Sequence, residues 1–370
     1  MAAAERGGGR SRGQGKRINL ALQGGGSHGA LTWGVLDRLL EDDRLAISAI
    51  SGTSAGAMNA VVLADGLERG GAEGARAHLR GFWKAVSDAA RFSPIRRSIW
   101  NRMWRRYSLD DSPGYLFMEG LSRIVSPYDL NPINLNPLRD LLAKHVDFGN
   151  VNRCRTLEVF ITATNVRTGR PRIFAHGDVT ADSVLASACL PQMYPAVEIG
   201  GEAYWDGGFS GNPALYPLVD SRLSRDIVVV QINPLVRRQL PRSARDIINR
   251  VNEVSFNSSL IKELRAIVLT QTRMREAGVD LGHLETFLHI IHTDEEVKDL
   301  AASSKLNAEW DYLQLLFERG RGWASAWLDA HFEDIGQRST LDLDEMLEDA
   351  PRPLTGTAPE ATSDAGEEGE

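Results

Sequence analysis

Residues 45–67, LAISAISGTSAGAMNAVVLADGL, contain the turn that decides the fold. The apolar run 45–51 predicts a buried strand, and the small apolar residues of 55–67 predict a tightly packed helix. Only small residues fit the sharp turn GTSAG at 52–56, and a serine there meets the unpaired N–H groups and positive dipole end of the helix. Ser54 is therefore either a nucleophile or a serine that merely caps a helix.

A glycine loop follows the preceding strand. The segment 18–23 predicts a buried strand, GGGSHG occupies 24–29, and 30–43 has apolar residues at helical spacing. Strand, glycine loop and helix thus occur twice in succession, which indicates an α/β fold with a parallel sheet. Loops after successive parallel strands lie side by side, so this loop is expected close to Ser54. The candidate oxyanion-hole donors are the backbone N–H groups of Gly24, Gly25 and Gly26.

The loop also fits the G-x-G-x-x-G pattern of dinucleotide-binding sites. Such a site needs an acidic residue near the end of the second strand, to bind the ribose. Here that strand ends at Gly52, and Asp42 and Asp43 precede it. The sequence therefore disfavours a nicotinamide cofactor, and no clustered Cys, His or Asp spacing suggests a metal site.

A nucleophilic serine needs a base, and the sequence leaves several candidates. His28 lies in the glycine loop, and His289 and His292 lie near the end of a late predicted strand. Asp206 precedes two glycines at the end of a predicted hairpin, where an ordinary turn aspartate is the alternative. A triad of Ser54, Asp206 and a late histidine would match the chain order of α/β-hydrolases. That fold, however, normally places several strands before its nucleophile.

GGGSHG, GTSAG and DGG in this order, with ASACLPQMYPAVEI at 186–199, resemble the signature elements of patatin-like phospholipases over about residues 18–235. The resemblance implies a Ser–Asp dyad in which Ser54 is the nucleophile and Asp206 the general base. It also implies that the glycine loop forms the oxyanion hole and that lipid acyl esters are hydrolysed without a cofactor. His28 departs from the family, which usually has arginine or lysine there. The other motif glycines are Gly29, Gly52, Gly56, Gly207 and Gly208.

An unperturbed histidine titrates near pH 6.5, whereas arginine is always charged. We therefore expect His28→Arg to flatten the acid side of the pH profile.

The composition divides the chain into a core and two tails. Residues 1–17 form a basic, glycine-rich tail and 349–370 an acidic one, and both are expected to be disordered. The patatin-like core is expected over 18–235, with a helical insertion at about 75–150. A C-terminal helical region with one late strand is expected over 236–348, where a long amphipathic helix is predicted to cover the core.

Charge and cysteine content narrow the class of protein. A net charge of −7 argues against a general nucleic-acid binder, and only two cysteines among 370 residues favour a reducing compartment. The N-terminal residues lack the apolar region of a secretory signal, and no apolar run is long enough to span a bilayer. We expect a cytoplasmic protein, with peripheral contact at the inner face of the membrane as part of the lipid interpretation.

The segment 91–108, RFSPIRRSIWNRMWRRYS, is predicted to be a basic amphipathic helix with tryptophans, as in interfacial membrane-binding helices. The alternative is a helix whose aromatic face covers the core. The candidate membrane or lid residues are Trp100, Met103, Trp104, Arg105 and Arg106.

The sequence therefore predicts a three-layer α/β acyl hydrolase that releases fatty acid from phospholipids or related esters. One alternative is an esterase or storage-polyester depolymerase on the same fold. Another is a non-catalytic lipid-binding or scaffold protein.

Overall fold

The protein is built on a central sheet with helices on both faces. The computed structural model describes residues 15–342, except 94, 99–100, 102–103, 105–106, 123, 236, 238–239 and 293–301. The strands are β1 (Lys16–Leu22), β2 (Leu45–Gly52), β3 (Glu158–Asn165), β4 (Pro171–Phe174), β5 (Val197–Ile199), β6 (Glu202–Asp206), β7 (Asp226–Val230) and β8 (Phe287–Ile291). The helices are α1 (Gly29–Glu41), α2 (Ala55–Ala89), α3 (Pro113–Leu121), α4 (Pro127–Leu130), α5 (Pro137–His145), α6 (Phe148–Arg153), α7 (Ala181–Ser187), α8 (Tyr216–Ser221), α9 (Ala244–Glu276) and α10 (Trp310–His331).

The strands lie in the order β5-β6-β3-β2-β1-β7-β8, and β4 also pairs with β3. The five strands β3, β2, β1, β7 and β8 are mutually parallel, while β4, β5 and β6 join antiparallel at one side. The predicted α/β fold with a mostly parallel central sheet is therefore confirmed. β1 lies in the middle of the parallel strands, so the glycine loop that follows it is central in the molecule.

Alternate residues of β1 pack on opposite layers of helices, as the two-residue period of a strand requires. Leu20 and Leu22 belong to a large core with residues of α1, α2 and α10. Ala21 belongs to a second, smaller core on the other face, formed with residues of α8 and α9. Because both faces are covered, the central strands β1 and β7 are apolar over most of their buried positions.

The region predicted as a helical insertion, at about 75–150, is only partly helical. α2 continues to Ala89, but Gly70 and Gly71 have non-helical backbone angles that break it. Residues 95–98 are not helical, although the sequence predicted a helix from about position 94. Asn136 caps α5 by accepting from the N–H of Leu138, as predicted.

Parts of the 91–108 segment are attached to the start of α10. The Arg97 guanidinium is buried and pairs with Glu309 and Asp311 at 2.6 and 2.7 Å, and Tyr107 stacks on Tyr312 with ring centroids 4.8 Å apart. Among the predicted membrane residues, Trp104 is 70% exposed. The other four, Trp100, Met103, Arg105 and Arg106, lie outside the described residues.

The two helices α1 and α10 cross in close contact, because each has a glycine at the crossing. A Cβ atom on Gly34 would lie 2.0 Å from the carbonyl oxygen of Phe317, and one on Gly320 would lie 2.0 Å from that of Leu31. The helix backbones therefore touch directly. This contact attaches the C-terminal helix to the first βα unit.

We expect Gly320→Ala to lower the free energy of unfolding by about 1–3 kcal/mol, because the added methyl group forces the two helices apart. Gly322→Ala on the same helix is the control: no atom lies within 4 Å of its added Cβ. It should stabilise α10 by up to about 1 kcal/mol through helix propensity. Urea denaturation measures both, and equal effects would contradict the crossing contact.

Candidate active site

Ser54 lies at the sharp turn between β2 and α2. Its φ of 54° and ψ of −118° fall in a region that non-glycine residues rarely adopt, at a cost of about 1–3 kcal/mol. Its side chain makes no hydrogen bond that caps α2. Its N–H donates to the Ser187 hydroxyl at 2.9 Å, at the end of α7. The alternative of a simple capping serine is therefore wrong.

The turn depends on backbone contacts that exclude a side chain. A Cβ on Gly56 would lie 2.2 Å from the carbonyl oxygen of Leu22 at the end of β1. A Cβ on Gly207 would lie 2.1 Å from the carbonyl oxygen of Thr162 in β3 and 3.1 Å from the Thr53 side chain. The same crowding, with a contact at 3.0 Å or less, occurs at every predicted motif glycine: Gly24, Gly25, Gly26, Gly29, Gly52, Gly56, Gly207 and Gly208.

The strand register brings Asp206 to the level of Ser54. Gly52 of β2 is paired with Ile161 of β3, and Ala163, two residues further along β3, is paired with Asp206 of β6. Since β2 and β3 are parallel, Ser54 and Asp206 emerge at the same height on either side of β3. The Ser54 hydroxyl group is close enough to the Asp206 carboxyl group to favour its charged form.

Asp206 lies in a dry environment. Its carboxylate accepts from the N–H of Gly208 at 2.7 Å, and the aromatic ring of Phe256 packs against Gly208. Burial raises the pKa of Asp206 to about 7, although the hydrogen bond from Gly208 and the nearby Ser54 hydroxyl group favour the charged form. The carboxyl group is thus suited to accept and return a proton near neutral pH.

The glycine loop lies directly against the serine turn, since a Cβ on Gly24 would be 2.7 Å from the Ser54 Cβ. The N–H of Gly24, however, donates to the Asn212 side chain at 2.7 Å. Gly24 is therefore already engaged, which corrects its predicted role as a donor. Within the described part of the chain, no group accepts from the N–H of Gly25 or Gly26.

A buried polar network, which short-range sequence patterns do not predict, holds the glycine loop in place. The Asn233 side chain donates to the carbonyl oxygen of Gly24 at 2.7 Å and to Gln23 at 3.2 Å. Lys305 donates to the Asn233 side chain at 2.8 Å, and its carbonyl oxygen lies against Gly26. Burial and the nearby Arg237 lower the pKa of Lys305. An Asn-Pro step after a predicted strand, at 233–234, was the one hint of this arrangement.

His28 is not a base for Ser54. It is buried, and its Nε2 atom bonds to the Ser304 hydroxyl at 2.8 Å, which also accepts from Tyr312 at 2.9 Å. Burial, followed by the charges of Lys305 and Arg237, holds the pKa of His28 well below its usual range. The expectation that His28 titrates near pH 6.5 is therefore wrong.

The late histidines are also remote from the serine. His289 is buried, and its two ring nitrogens bond to Asp226 and Thr340 at 3.0 Å each. His292 follows the end of β8, three strands from β2, which is roughly 14 Å at the usual strand spacing. The geometry does not support an α/β-hydrolase triad.

This arrangement agrees with the comparison with known families. A model of the family described as patatin-like phospholipase matches residues 20–219, more than half of the chain. The chain belongs to the patatin-like phospholipase family. Membership in this family supports a lipid hydrolase. No curated protein sequence matches the chain significantly.

Two solved structures are similar to this patatin-like chain at low sequence identity. VipD from Legionella pneumophila is 15% identical, with a TM-score of 0.36 over 85% of this chain and 67% of VipD. The ExoU–SpcU complex of the Pseudomonas aeruginosa type III secretion system is 13% identical, with a TM-score of 0.30 over 86% of this chain and 52% of the matched chain. The chain thus spans about half the length of ExoU, and the family assignment rests on the sequence match.

The described residues contain neither a helix suited to cross a bilayer nor a group of metal ligands. None of the helices there has both the length and the apolar composition that crossing a bilayer requires. In the same residues, no three His, Cys, Asp or Glu side chains are grouped so that they would hold a metal ion.

We expect His28→Arg to lower the free energy of unfolding by about 3–5 kcal/mol, because it places an unpaired cation in a buried site beside Lys305. His28→Gln is the control, since a neutral amide can still bond to Ser304. Urea denaturation at neutral pH measures both variants. A His28→Arg variant as stable as the wild type would contradict the buried, neutral histidine.

Proposed function

We propose that the protein is a serine acyl hydrolase that cleaves phospholipid or related long-chain acyl esters through a Ser54–Asp206 dyad. The strained backbone of Ser54, beside the buried carboxyl group of Asp206, carries the proposal. Family membership supports the lipid substrate class. Storage polyesters and soluble acyl esters are the alternative substrates. Lipid binding without catalysis is the alternative function.

In the first half of the reaction, Asp206 accepts the hydroxyl proton while Ser54 Oγ attacks the acyl carbonyl carbon. The carbonyl π electrons move to the oxygen and form a tetrahedral oxyanion. When this intermediate collapses, the bond to the alcohol breaks, and Asp206 returns the proton to the leaving oxygen. In the second half, Asp206 accepts a proton from a water molecule while the water oxygen attacks the acyl carbon and forms a second tetrahedral oxyanion. When this intermediate collapses, the bond to Ser54 Oγ breaks and Asp206 returns the proton to that oxygen, which releases the fatty acid and restores Ser54.

The oxyanion needs donors that are in place before the reaction. We assign this role to the N–H groups of Gly25 and Gly26, which no described group engages, and leave Gly24 out because it donates to Asn212. The network of Gln23, Asn233 and Lys305 then keeps the loop rigid. A donor of this kind contributes on the order of 3 kcal/mol to transition-state stabilisation.

The proposed hydrolase also needs a surface that contacts the membrane. We place the protein in the cytoplasm, in peripheral contact with the inner face of the membrane. Trp104 is exposed as a lipid-contacting residue should be, and Trp100, Met103, Arg105 and Arg106 are proposed to act with it. The attachment of Arg97 and Tyr107 to the start of α10 keeps the segment against the core.

We expect Ser54→Ala to reduce kcat by about 10⁴-fold or more and Asp206→Asn by about 10²–10⁴-fold. Fatty-acid release from phospholipid vesicles is measured in parallel with hydrolysis of a soluble short-chain ester. His292→Gln is the control and should retain wild-type activity. Activity only on the soluble ester would move the substrate to the alternative esters, and activity on neither would favour the non-catalytic alternative.

We expect kcat/KM to rise about tenfold per pH unit below pH 7 and to level off above it. The pKa of Asp206 is raised to about 7, so the carboxyl group is protonated below that pH and cannot act as a base. The pH profile of the soluble-ester reaction measures this effect. Because His28 stays neutral, His28→Gln should leave the acid limb in place, and a limb that disappears in this variant would contradict the assignment.

A further inference from the structure

The long helix α9 buries apolar residues in its second half but polar residues in its first half. In its second half, Leu260 and Leu264 are buried against the sheet, as the sequence predicted. In its first half, the buried residues on that same side are polar, namely Glu253 and Asn257. The predicted core-covering helix over 251–269 is therefore confirmed from Leu260 onward, while Val251 and Val254 near its start are exposed.

The apolar residues of the first half point to the outside. Their spacing of three and four residues places them on one face, opposite Glu253 and Asn257. Val251, for example, is 57% exposed, and the loop residue Leu240 before the helix is also exposed. We call this group the α9 outer face: Ile247, Ile248, Val251 and Val254.

Polar contacts on the inner side prevent the helix from rotating to bury this face. Glu253 is paired with Arg237 at 2.7 Å and with Arg250 at 3.2 Å. Asn257 accepts from Gln23 at 3.2 Å and donates to the carbonyl oxygen of Pro234 at 3.1 Å. Rotation would break these bonds and leave buried polar groups unsatisfied. The apolar face is therefore held outward by the same residues that support the glycine loop.

The charge around the α9 outer face indicates its partner. Residues 237–253 contain five arginines and two acidic residues, Asp246 and Glu253, in a chain whose net charge is −7. Two of the arginines, Arg237 and Arg250, are paired with Glu253 on the inner side. The Arg242 side chain is exposed, and Asp246 accepts from Ser243 at the start of the helix. Apolar side chains with arginines beside them match the interface of an anionic bilayer, where acyl chains lie under negative headgroups.

The α9 outer face also adjoins the candidate active site. Phe256, on the same half of the helix, contacts the ring of Phe209 at 5.0 Å between centroids and packs on Gly208 beside Asp206. Phe209 is itself partly exposed. A lipid surface that contacts this part of α9 therefore lies next to the buried carboxylate, where an ester drawn from the bilayer has a short path to Ser54.

We propose that the α9 outer face is the surface by which the protein docks on an anionic phospholipid bilayer. The inference rests on the proposed function, since docking here presents lipid to the Ser54–Asp206 pair. It makes α9 the principal contact and the 91–108 segment, with its exposed Trp104, a secondary one.

The test measures vesicle binding and hydrolysis separately. Binding is measured by co-sedimentation in the Ser54→Ala background, with phosphatidylcholine vesicles and with vesicles that also contain phosphatidylglycerol. Replacing Ile247, Val251 and Val254 together by serine should weaken binding to the anionic vesicles at least about tenfold. In the catalytically intact chain, the same triple variant should lower vesicle hydrolysis about tenfold relative to soluble-ester hydrolysis.

Leu269→Ser is the matched control. Leu269 lies on the same side of α9 and is 53% exposed, but it is roughly 27 Å further along the helix from Val251. It should bind and hydrolyse as the wild type does. Arg242→Glu should weaken binding to anionic vesicles but not to phosphatidylcholine, and added salt should have the same effect.

Three outcomes would overturn the inference. The first is unchanged binding in the triple variant together with a loss in Trp104→Ser, which would return the contact to the 91–108 segment. The second is equal binding to neutral and anionic vesicles, and the third is a dimer in solution that the triple variant converts to a monomer. If Ser54→Ala binds vesicles through α9 while the wild type hydrolyses neither substrate, the docking surface stands and the proposed hydrolase fails.

Discussion

The structure depends on backbone contacts around Ser54 that only glycine permits. Gly56 lies against the end of β1, and Gly207 lies against β3 and Thr53, each so close that a methyl group has no room. These contacts draw the ends of three strands together and hold Ser54 in its rare backbone conformation. The same contacts set the start of α2 and the level at which Asp206 leaves the sheet. The fold and the candidate site therefore both depend on these close backbone contacts.

Burial gives the Asp206 carboxyl group its chemical character. Without the covering of Phe256 and the Gly207–Gly208 turn, water would return its pKa toward the ordinary range. α9 thus has three roles along its length. Its second half closes the smaller core, its inner polar residues support the glycine loop, and its outer face remains apolar. A helix with such different requirements in its two halves cannot have a single apolar face.

The glycine loop is fixed by residues that are far away in the sequence. His28 stands where the resemblance to patatin-like phospholipases predicted a cation, and it is held neutral by burial. The amino group near the loop belongs instead to Lys305, far along the chain, which reaches Gly24 through Asn233. His28 in turn bonds to Ser304, the residue before Lys305. The histidine and the glycine loop are therefore both held by residues 304–305. The loop is consequently fixed from the C-terminal region as well as from the first βα unit.

The sequence by itself determined the parallel α/β core, the serine turn and the presence of Asp206 at the end of a hairpin. These features follow from short-range patterns, since strand periodicity, glycine spacing and turn residues act over a few positions. Only the tertiary structure decided that Asn212 engages Gly24, that His28 and His289 have other partners, and that the first half of α9 turns its apolar residues outward. Each of these outcomes depends on contacts between residues far apart in the chain, which compete for the same polar groups. The local spacing of residues does not predict which of these partners forms the bond.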